Sequence, residues 1–545
     1  MALLAGTTRG DWRGEALMGI TLAAMSAPVA MAFAQFAGLP PTMGLYTLIV
    51  PGIVFAFFAA TGRLTAAPDA VGVALIAATL TPLAHPGTAN YAELATAQAL
   101  VAAAAYAVIA VFRLSRVTVL LPTPVLLGFS AAVALDLLVR EIAGMFGIEL
   151  AKTVTDAAAD GFPQHARALI TRLDTANVWA IAVAAGAMIV LLIGRRIARR
   201  LPWELAVYLA AFASYRVFEL ASHGVATVGR VGGGRPPFAI PLLDAGEWLA
   251  LAPGAIVIAF AALALHQDQD TAYQPAGARD GIVYGLASAA SGVSGGFAIG
   301  PSPAWRARLD ELRSHSQLPA LVAALLILAG VVFGGGFLGE LPTPAFGAIA
   351  ALATWPLLRL REARVLWRTS KGEFLLALVA FAVTLAFGPL WGLATAAAIG
   401  LLRLLLAASA PPLDVIDADG RPIAPLRAGA PAPRTTAPGI VIVRLAAPVN
   451  ATTAGALARG IDLATRGADP SIRHLVVDGE AITAIDATGA AVLRRAFANL
   501  AERGVSVDYC RARAVLRVDL EHHGLLGGSH VFRTCREALD ELGPR

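Results

Sequence analysis

The segment APVAMAFAQFAGLPPTMGLY, residues 27–46, leads through ATGRLTAAPDA, residues 60–70, and its reading decides the fold. Two apolar stretches meet at Pro40-Pro41, and a third opens on Pro68-Asp69. Proline suits the first turn of a helix, where its missing N–H is no loss. A carboxylate near the middle of a hydrophobic region is costly and marks a functional site by default. Working outward, the same apolar character fills the chain as far as residue 410.

The 545 residues are 57% hydrophobic and only 14% charged, against about 25% charged in a typical soluble domain. The excess apolar surface needs lipid as its solvent, so the chain reads as a polytopic helical membrane protein. Segments near 15–37, 41–60, 95–112, 118–138, 177–194, 201–221, 248–266, 281–295, 317–335, 342–358, 373–388 and 390–408 are expected to span the bilayer, each with roughly 17–25 residues. Two more, near 66–83 and 296–312, are interrupted by prolines and small residues. Broken segments at matching positions in two halves point to a transporter's substrate site. They fall third and tenth of fourteen elements, which predicts a seven-plus-seven inverted repeat, one half over about 12–221 and the other over about 248–408.

Arginine placement sets the expected orientation. With the N-terminus in the cytoplasm, the inside loops hold Arg63, Arg113, Arg116, Arg195, Arg196, Arg199 and Arg200. Arg306, Arg308, Arg313, Arg359, Arg361, Arg364, Arg368 and Lys371 follow the same bias. The long connection 139–176, carrying Asp156, Asp160 and Asp174, fits the outside. The expected location is therefore a bacterial-type inner membrane with both termini cytoplasmic, and no cleavable leader is expected in MALLAGTTRGDWRGEALMG, residues 1–19. The net charge of +5 does not argue for a nucleic-acid partner, because the arginines sit in short loops where topology explains them. Cys510 and Cys535, both near the C-terminus, suit a reduced compartment rather than a disulfide framework.

After the membrane domain, 1–410, comes a Pro/Ala/Gly-rich linker, 411–438, and then a small soluble domain, 439–545. GIVIVRL (439–445), IRHLVVDG (472–479) and VSVDYC (505–510) read as strands, alternating with helices over 452–466 and 488–503. That alternation predicts an α/β layer fold.

GLPPTMGLY (38–46), the APDA turn (67–70) and the paired spans that begin LPTPAFGAIAALATWPLL (341–358) resemble the sulfate permease (SulP, or solute carrier 26-type) anion transporters. The tail resembles their STAS domain, with IDATG (485–489) as the acid–small–Ser/Thr–Gly turn that opens a helix. The resemblance implies a uracil-permease-like core and gate, homodimer formation, and two half-helices whose N-termini face each other at the bilayer midplane. A helix N-terminus carries unsatisfied N–H groups and about half a positive charge, so two such tips form an anion site without a buried cation.

Candidate residues follow from that arrangement. Pro68, Asp69 and Ala70 open the first half-helix; Asp69 either neutralises the dipole as an acid in the first turn or competes with an anionic substrate, in which case transport favours its protonated form. Gly300, Pro301 and Ser302 open the second; Ser302 either caps the helix or donates its hydroxyl to an anion. Trp305 holds the slot where relatives carry an arginine, and Arg306, one residue on, is rotated by about 100°. Phe33 matches an aromatic that lines the relatives' pocket, Val29 replaces a glutamine there, and Gln35 reads as a packing or interhelical hydrogen-bond residue. Where relatives place a coupling acid on the eighth element this chain has Leu265, with His266, Asp268 and Asp270 just beyond, read as a solvated helix end or as a titrating pair or metal cluster; Asp69, His266 and Asp268 are the coupling-ion candidates. In the STAS domain Asp486 and Thr488 occupy the turn that soluble relatives phosphorylate, or simply cap a helix.

These readings converge on secondary active transport of a small anion (sulfate, bicarbonate, chloride or a dicarboxylate), proton-coupled or by exchange, through elevator-like alternating access. No cofactor, metal or enzymatic activity is expected. The partners expected are the anion, the bilayer, a second copy and a cytoplasmic protein acting through the STAS domain. The alternatives are a nucleobase–proton symporter of the same fold, or a STAS-based membrane sensor whose transport has decayed.

Overall fold

The computed structural model describes residues 12–59, 65–114, 116, 118, 121–150, 161–198, 201–229, 235–269, 278–312, 314, 316–333, 339–409, 413–426, 435–465 and 472–543. The chain forms two compact units, Met1–Gly400 and Leu401–Arg545.

The first unit is helical. Its elements are α1 (Trp12–Phe36), α2 (Pro41–Phe58), α3 (Ala70–Leu80), α4 (Ala89–Val111), α5 (Thr123–Phe146), α6 (Phe162–Thr171), α7 (Val178–Ile197) and α8 (Trp203–Val217). They continue as α9 (Ala245–Gln269), α10 (Ala278–Val293), α11 (Pro303–Leu312), α12 (Leu318–Phe333), α13 (Thr343–Thr354), α14 (Leu360–Thr369), α15 (Lys371–Phe387) and α16 (Pro389–Ser409). A helix overlaps each of the fourteen expected segments, and six of these helices are long and apolar enough to cross a membrane. Two helices were not anticipated: α6, inside the connection read as outside, and α14, inside a loop read as merely basic.

Local sequence explains the first hairpin. Pro40 and Pro41 end one helix and start the next, with Pro41 at the first helical position. Gly44 then lets α2 approach α1 closely, since a Cβ there would lie 2.0 Å from the Ala30 carbonyl oxygen. Within the apolar α1, Thr21 and Ser26 donate back to Leu17 O (3.1 Å) and Leu22 O (2.6 Å), so neither hydroxyl is left unpaired.

Packing sorts the helices into two groups. In the first, α1, α2, α3, α4, α9, α10 and α12 pack on one another; in the second, α5, α7, α8, α13 and α15 do so. The groups meet where α1 lies against α13 and α8, and where α3 lies against α5.

The second unit is a six-stranded sheet with helices. Its strands are β1 (Leu413–Ile416), β2 (Pro422–Pro425), β3 (Ile440–Leu445), β4 (His474–Asp478), β5 (Ser506–Cys510) and β6 (Val531–Phe532), in the order β2-β1-β3-β4-β5-β6. β3 to β6 run parallel, whereas β1 pairs antiparallel with both β2 and β3. The helices are α17 (Ala454–Thr465), α18 (Ala487–Glu502), α19 (Ala514–His522) and α20 (Cys535–Leu542). Residues 413–416 and 422–425 correct the linker reading of 411–438. Pro422 and Pro425 gave that stretch its loop-like composition, but β2 is an edge strand, where proline costs little. Cys510 and Cys535 are free and buried, with their Sγ atoms 2.7 Å apart. That contact, and then burial, pushes the Cys510 thiol up, while the same contact holds Cys535 below the ordinary thiol range.

Candidate functional site: two half-helices that cross

The two broken segments come together in the first unit. Ala67 forms an isolated antiparallel bridge with Gly300, and its N–H donates to Gly300 O at 3.1 Å. Thr65 adds a second link: its Oγ1 donates to Ser302 O (3.2 Å) and accepts from Ser302 N–H (3.3 Å). Two extended strands thus cross, and a helix leaves each strand at once, α3 from Asp69 and α11 from Ser302. Residues 65–77 and 296–302 are all buried. Irregular backbone so deep in an apolar protein stands only where neighbouring groups satisfy it.

Those neighbours come from α4 and α10. Tyr106 Oη donates to Ile299 O (3.1 Å), and Ser288 Oγ to the same oxygen (3.2 Å). Ser291 Oγ donates to Phe297 O (2.6 Å), and Tyr284 Oη to Thr65 O (3.2 Å). Tyr284, Ser288 and Ser291 are spaced i, i+4, i+7, so they share one face of α10. That stripe of hydroxyls in an apolar segment is visible in the sequence, whereas nothing local ties it, Thr65 or Tyr106 to the broken segments.

Asp69 adopts extended backbone geometry, with φ −127° and ψ 155°, and caps α3. Its Oδ1 accepts from Val71 N–H (2.9 Å) and Gly72 N–H (3.0 Å). The carboxylate therefore occupies two of the orphan donors that the open end of a helix offers to an anion. Its other oxygen faces the crossing: a Cβ placed on Gly300 would lie 3.5 Å from Asp69 Oδ2, 3.6 Å from Tyr106 Oη and 3.0 Å from Ala262 Cβ. Glycine at 300 is what lets the second strand pass this close.

The other named residues divide by position. Phe33 and Val29 belong to one buried apolar cluster with Ala70, Val71 and Phe297, beside the start of α3. Trp305 is buried in a second cluster that includes Ala67. Arg306 is partly exposed, and its Nε lies 3.6 Å from Asp310 Oδ2 along its own helix. Gln35 corrects the packing assignment: it is exposed and borders a cavity of about 430 Å³ with Glu141 and Phe346. Leu265 is buried. α9 continues to Gln269, but the side chains of His266 and Asp268 lie outside the described residues, as does Asp270.

Beneath the crossing, α11 carries a feature the sequence reading treated only as loop charge. Arg308 is 3% exposed; its Nη1 donates to Glu311 Oε2 (2.7 Å), and its Nη2 lies 3.7 Å from Oε1 of the fully buried Glu204 on α8. The same Glu204 oxygen accepts from Arg195 Nη2 at 2.6 Å. In the second unit, Asp486 caps α18 by accepting from Gly489 N–H (2.6 Å), and Thr488 stands exposed in the first helical turn.

Similarity to known proteins gives the family and the fold. A family model described as the sulfate permease family matches residues 13–380, and the STAS domain model matches 432–538. The chain belongs to the sulfate permease family. Among its relatives is a probable sulfate transporter of Mycobacterium tuberculosis, 29% identical over 559 residues, with 98% of this chain and 96% of that one covered. Human solute carrier family 26 member 6 is 24% identical, covering 74% of this chain and 56% of its own. Murine solute carrier 26 family member A9, solved in an inward-facing state, superposes with a TM-score of 0.82 at 17% identity, covering 99% of this chain and 94% of that one. The transmembrane domain of a cyanobacterial bicarbonate transporter, BicA, gives 0.58 at 17% identity, covering 71% and 98%. The fold class read from the sequence is thus established: a family-type helical membrane domain followed by a STAS domain.

Proposed function

We propose that the protein is a secondary active carrier of a small anion, bound where α3 and α11 begin, in a bacterial plasma membrane with both termini cytoplasmic. The observation that carries this reading is the Asp69 carboxylate seated on the Val71 and Gly72 N–H groups. An anion entering the same donors has to displace it, and protonation of Asp69 makes the exchange easier by removing the competing charge. Transport is then proton-coupled, or an exchange in which one anion follows another. Pro68, Asp69, Ala70, Gly300, Pro301 and Ser302 form the site, with Phe33 and Trp305 as apolar walls and Arg306 adding a positive field from the next turn.

In this reading the group built on α1 to α4 and α9 to α12 moves as an elevator past the group built on α5, α7, α8, α13 and α15, and the latter joins two copies. The two packing groups, which meet through α1, α3 and the Arg308–Glu204 contact, support that division. Sulfate, bicarbonate, chloride and dicarboxylates remain the candidate cargo, since the named relatives include both a probable sulfate transporter and a bicarbonate transporter. Asp486 and Thr488 are the proposed contact for a cytoplasmic regulatory protein. Uptake of radiolabelled sulfate, bicarbonate, chloride and succinate into proteoliposomes, with and without an inward proton gradient, tests the proposal. Uptake of at least one anion, accelerated by the gradient or by a trans anion, is the expected result. Vesicles that stay empty for the whole panel overturn it in favour of a sensor.

A further inference from the structure

Helix α14 lies between α13 and α15 in the chain, set off from each by a sharp backbone corner. A 3₁₀ turn, Trp355–Leu358, ends at Arg359 in the left-handed region (φ 48°, ψ 38°), and Ser370 (φ −149°, ψ 92°) makes the second corner. Ser370 then caps α15 by accepting from Glu373 N–H at 3.4 Å. The helix between these corners is two-faced. At 3.6 residues per turn, Arg361, Arg364 and Arg368 fall within an arc of about 60°. Leu360, Ala363, Leu366 and Trp367 share another sector. Ala363 and Leu366 are half-buried, while Leu360 and Trp367 are exposed, along with all three arginines. Among the described residues, no carboxylate pairs with those arginines. Trp367 packs edge-on against Phe374, with ring centroids 5.0 Å apart, and Lys371 Nζ stands 5.9 Å above the indole.

A short helix with basic and aromatic faces, tied by single residues to apolar neighbours, fits the plane where headgroups meet acyl chains. We infer that α14 is a binding surface for anionic phospholipid: Arg361, Arg364 and Arg368 hold the headgroup phosphate, while Leu360 and Trp367 enter the acyl boundary beneath it. Charge complementarity selects the lipid. Three unpaired cations and Lys371 on one short surface attract a leaflet of net negative charge and gain little from a zwitterionic one. The leaflet concerned is the cytoplasmic one in the orientation proposed above. The inference does not depend on which anion is carried.

Native mass spectrometry of the full-length protein, titrated with dioleoyl phosphatidylglycerol or dioleoyl phosphatidylcholine, tests it. The wild type is expected to prefer phosphatidylglycerol. The triple variant R361Q/R364Q/R368Q loses roughly a hundredfold of that preference, and R361K/R364K/R368K, which keeps the charge, retains most of it. Unchanged preference in the glutamine variant overturns the inference, and so does equal loss in the lysine variant. A shift in the monomer–dimer balance with lipid preference intact also overturns it, because the face is then a contact between copies.

Discussion

Replacing Glu204 with glutamine removes the carboxylate that two arginines share. Glu204 is fully buried; it bonds Arg195 at 2.6 Å and faces Arg308, itself 3% exposed, at 3.7 Å. Arg308 Nε and Nη2, Arg195 Nε and Glu204 Oε2 have no hydrogen-bond partner among the described residues, so little is on hand to compensate for a lost charge. Breaking a buried pair from one side costs about 3–5 kcal/mol. Arg308 keeps Glu311 at 2.7 Å, which favours the low end, about 3 kcal/mol. In a unit of this size, that corresponds to a fall of roughly 3–6 °C in the thermal midpoint. The assay is a thermal melt of purified full-length protein followed by tryptophan fluorescence, run as a double-mutant cycle with R308M. In the E204Q/R308M double variant the more deeply buried of the two cations is gone while Arg195 remains, so part of the loss returns and the coupling exceeds about 1 kcal/mol. A midpoint within 1 °C of wild type for E204Q, or strictly additive losses in the cycle, refutes the reasoning.

Three further outcomes are expected. Gly300→Ala puts a Cβ 3.0 Å from Ala262 Cβ, so the crossing has to part by a few tenths of an ångström; anion uptake per molecule should fall at least severalfold with membrane insertion unchanged. Thr65→Val keeps the shape but deletes both links to Ser302, lowering stability by about 1–2 kcal/mol and speeding hydrogen exchange around residues 299–302. Gly489→Ala would bring a Cβ to 2.5 Å from the Val449 carbonyl oxygen, a backbone atom with nowhere to retreat; hydrogen exchange in α18 and β3 of the full chain should rise by an amount matching about 2–3 kcal/mol.

The sequence was most readable where composition alone forced the answer. Runs such as 95–112 or 248–266 have nowhere to go but lipid, and the prolines at 40, 41 and 68 mark where helices must begin. The crossing was legible as two broken segments, because Pro68-Asp69 and the Gly300–Pro303 run interrupt otherwise helical text. Its closure was not: the Ala67–Gly300 bridge and the Thr65–Ser302 links join residues more than two hundred positions apart, and only packing can reveal such contacts. Arg308 shows the opposite failure. Counted as one more inside-loop arginine, it is buried against Glu204, and no local pattern separates those two fates. In the STAS domain the Pro-rich text around β1 and β2 concealed two strands, because proline marks an edge strand and a linker alike. Helix α14 is hidden for a similar reason: its arginines satisfy the topology rule, which carries no information about a shared helical face.

The central claim is that Asp69 and the transported anion compete for the same backbone donors. Equilibrium binding of radiolabelled sulfate to purified wild type and Asp69→Asn, measured from pH 5 to pH 8, tests it most directly. Asparagine caps a helix about as well as aspartate, so the fold is retained while the competing charge is gone, a repulsion worth about 1–4 kcal/mol for two unit charges about 4 Å apart. The account predicts that wild-type affinity for the carried anion rises as pH falls, whereas Asp69→Asn binds more tightly at pH 8 and with a much flatter profile. Identical profiles for the two proteins, or binding abolished in Asp69→Asn at every pH, would contradict it.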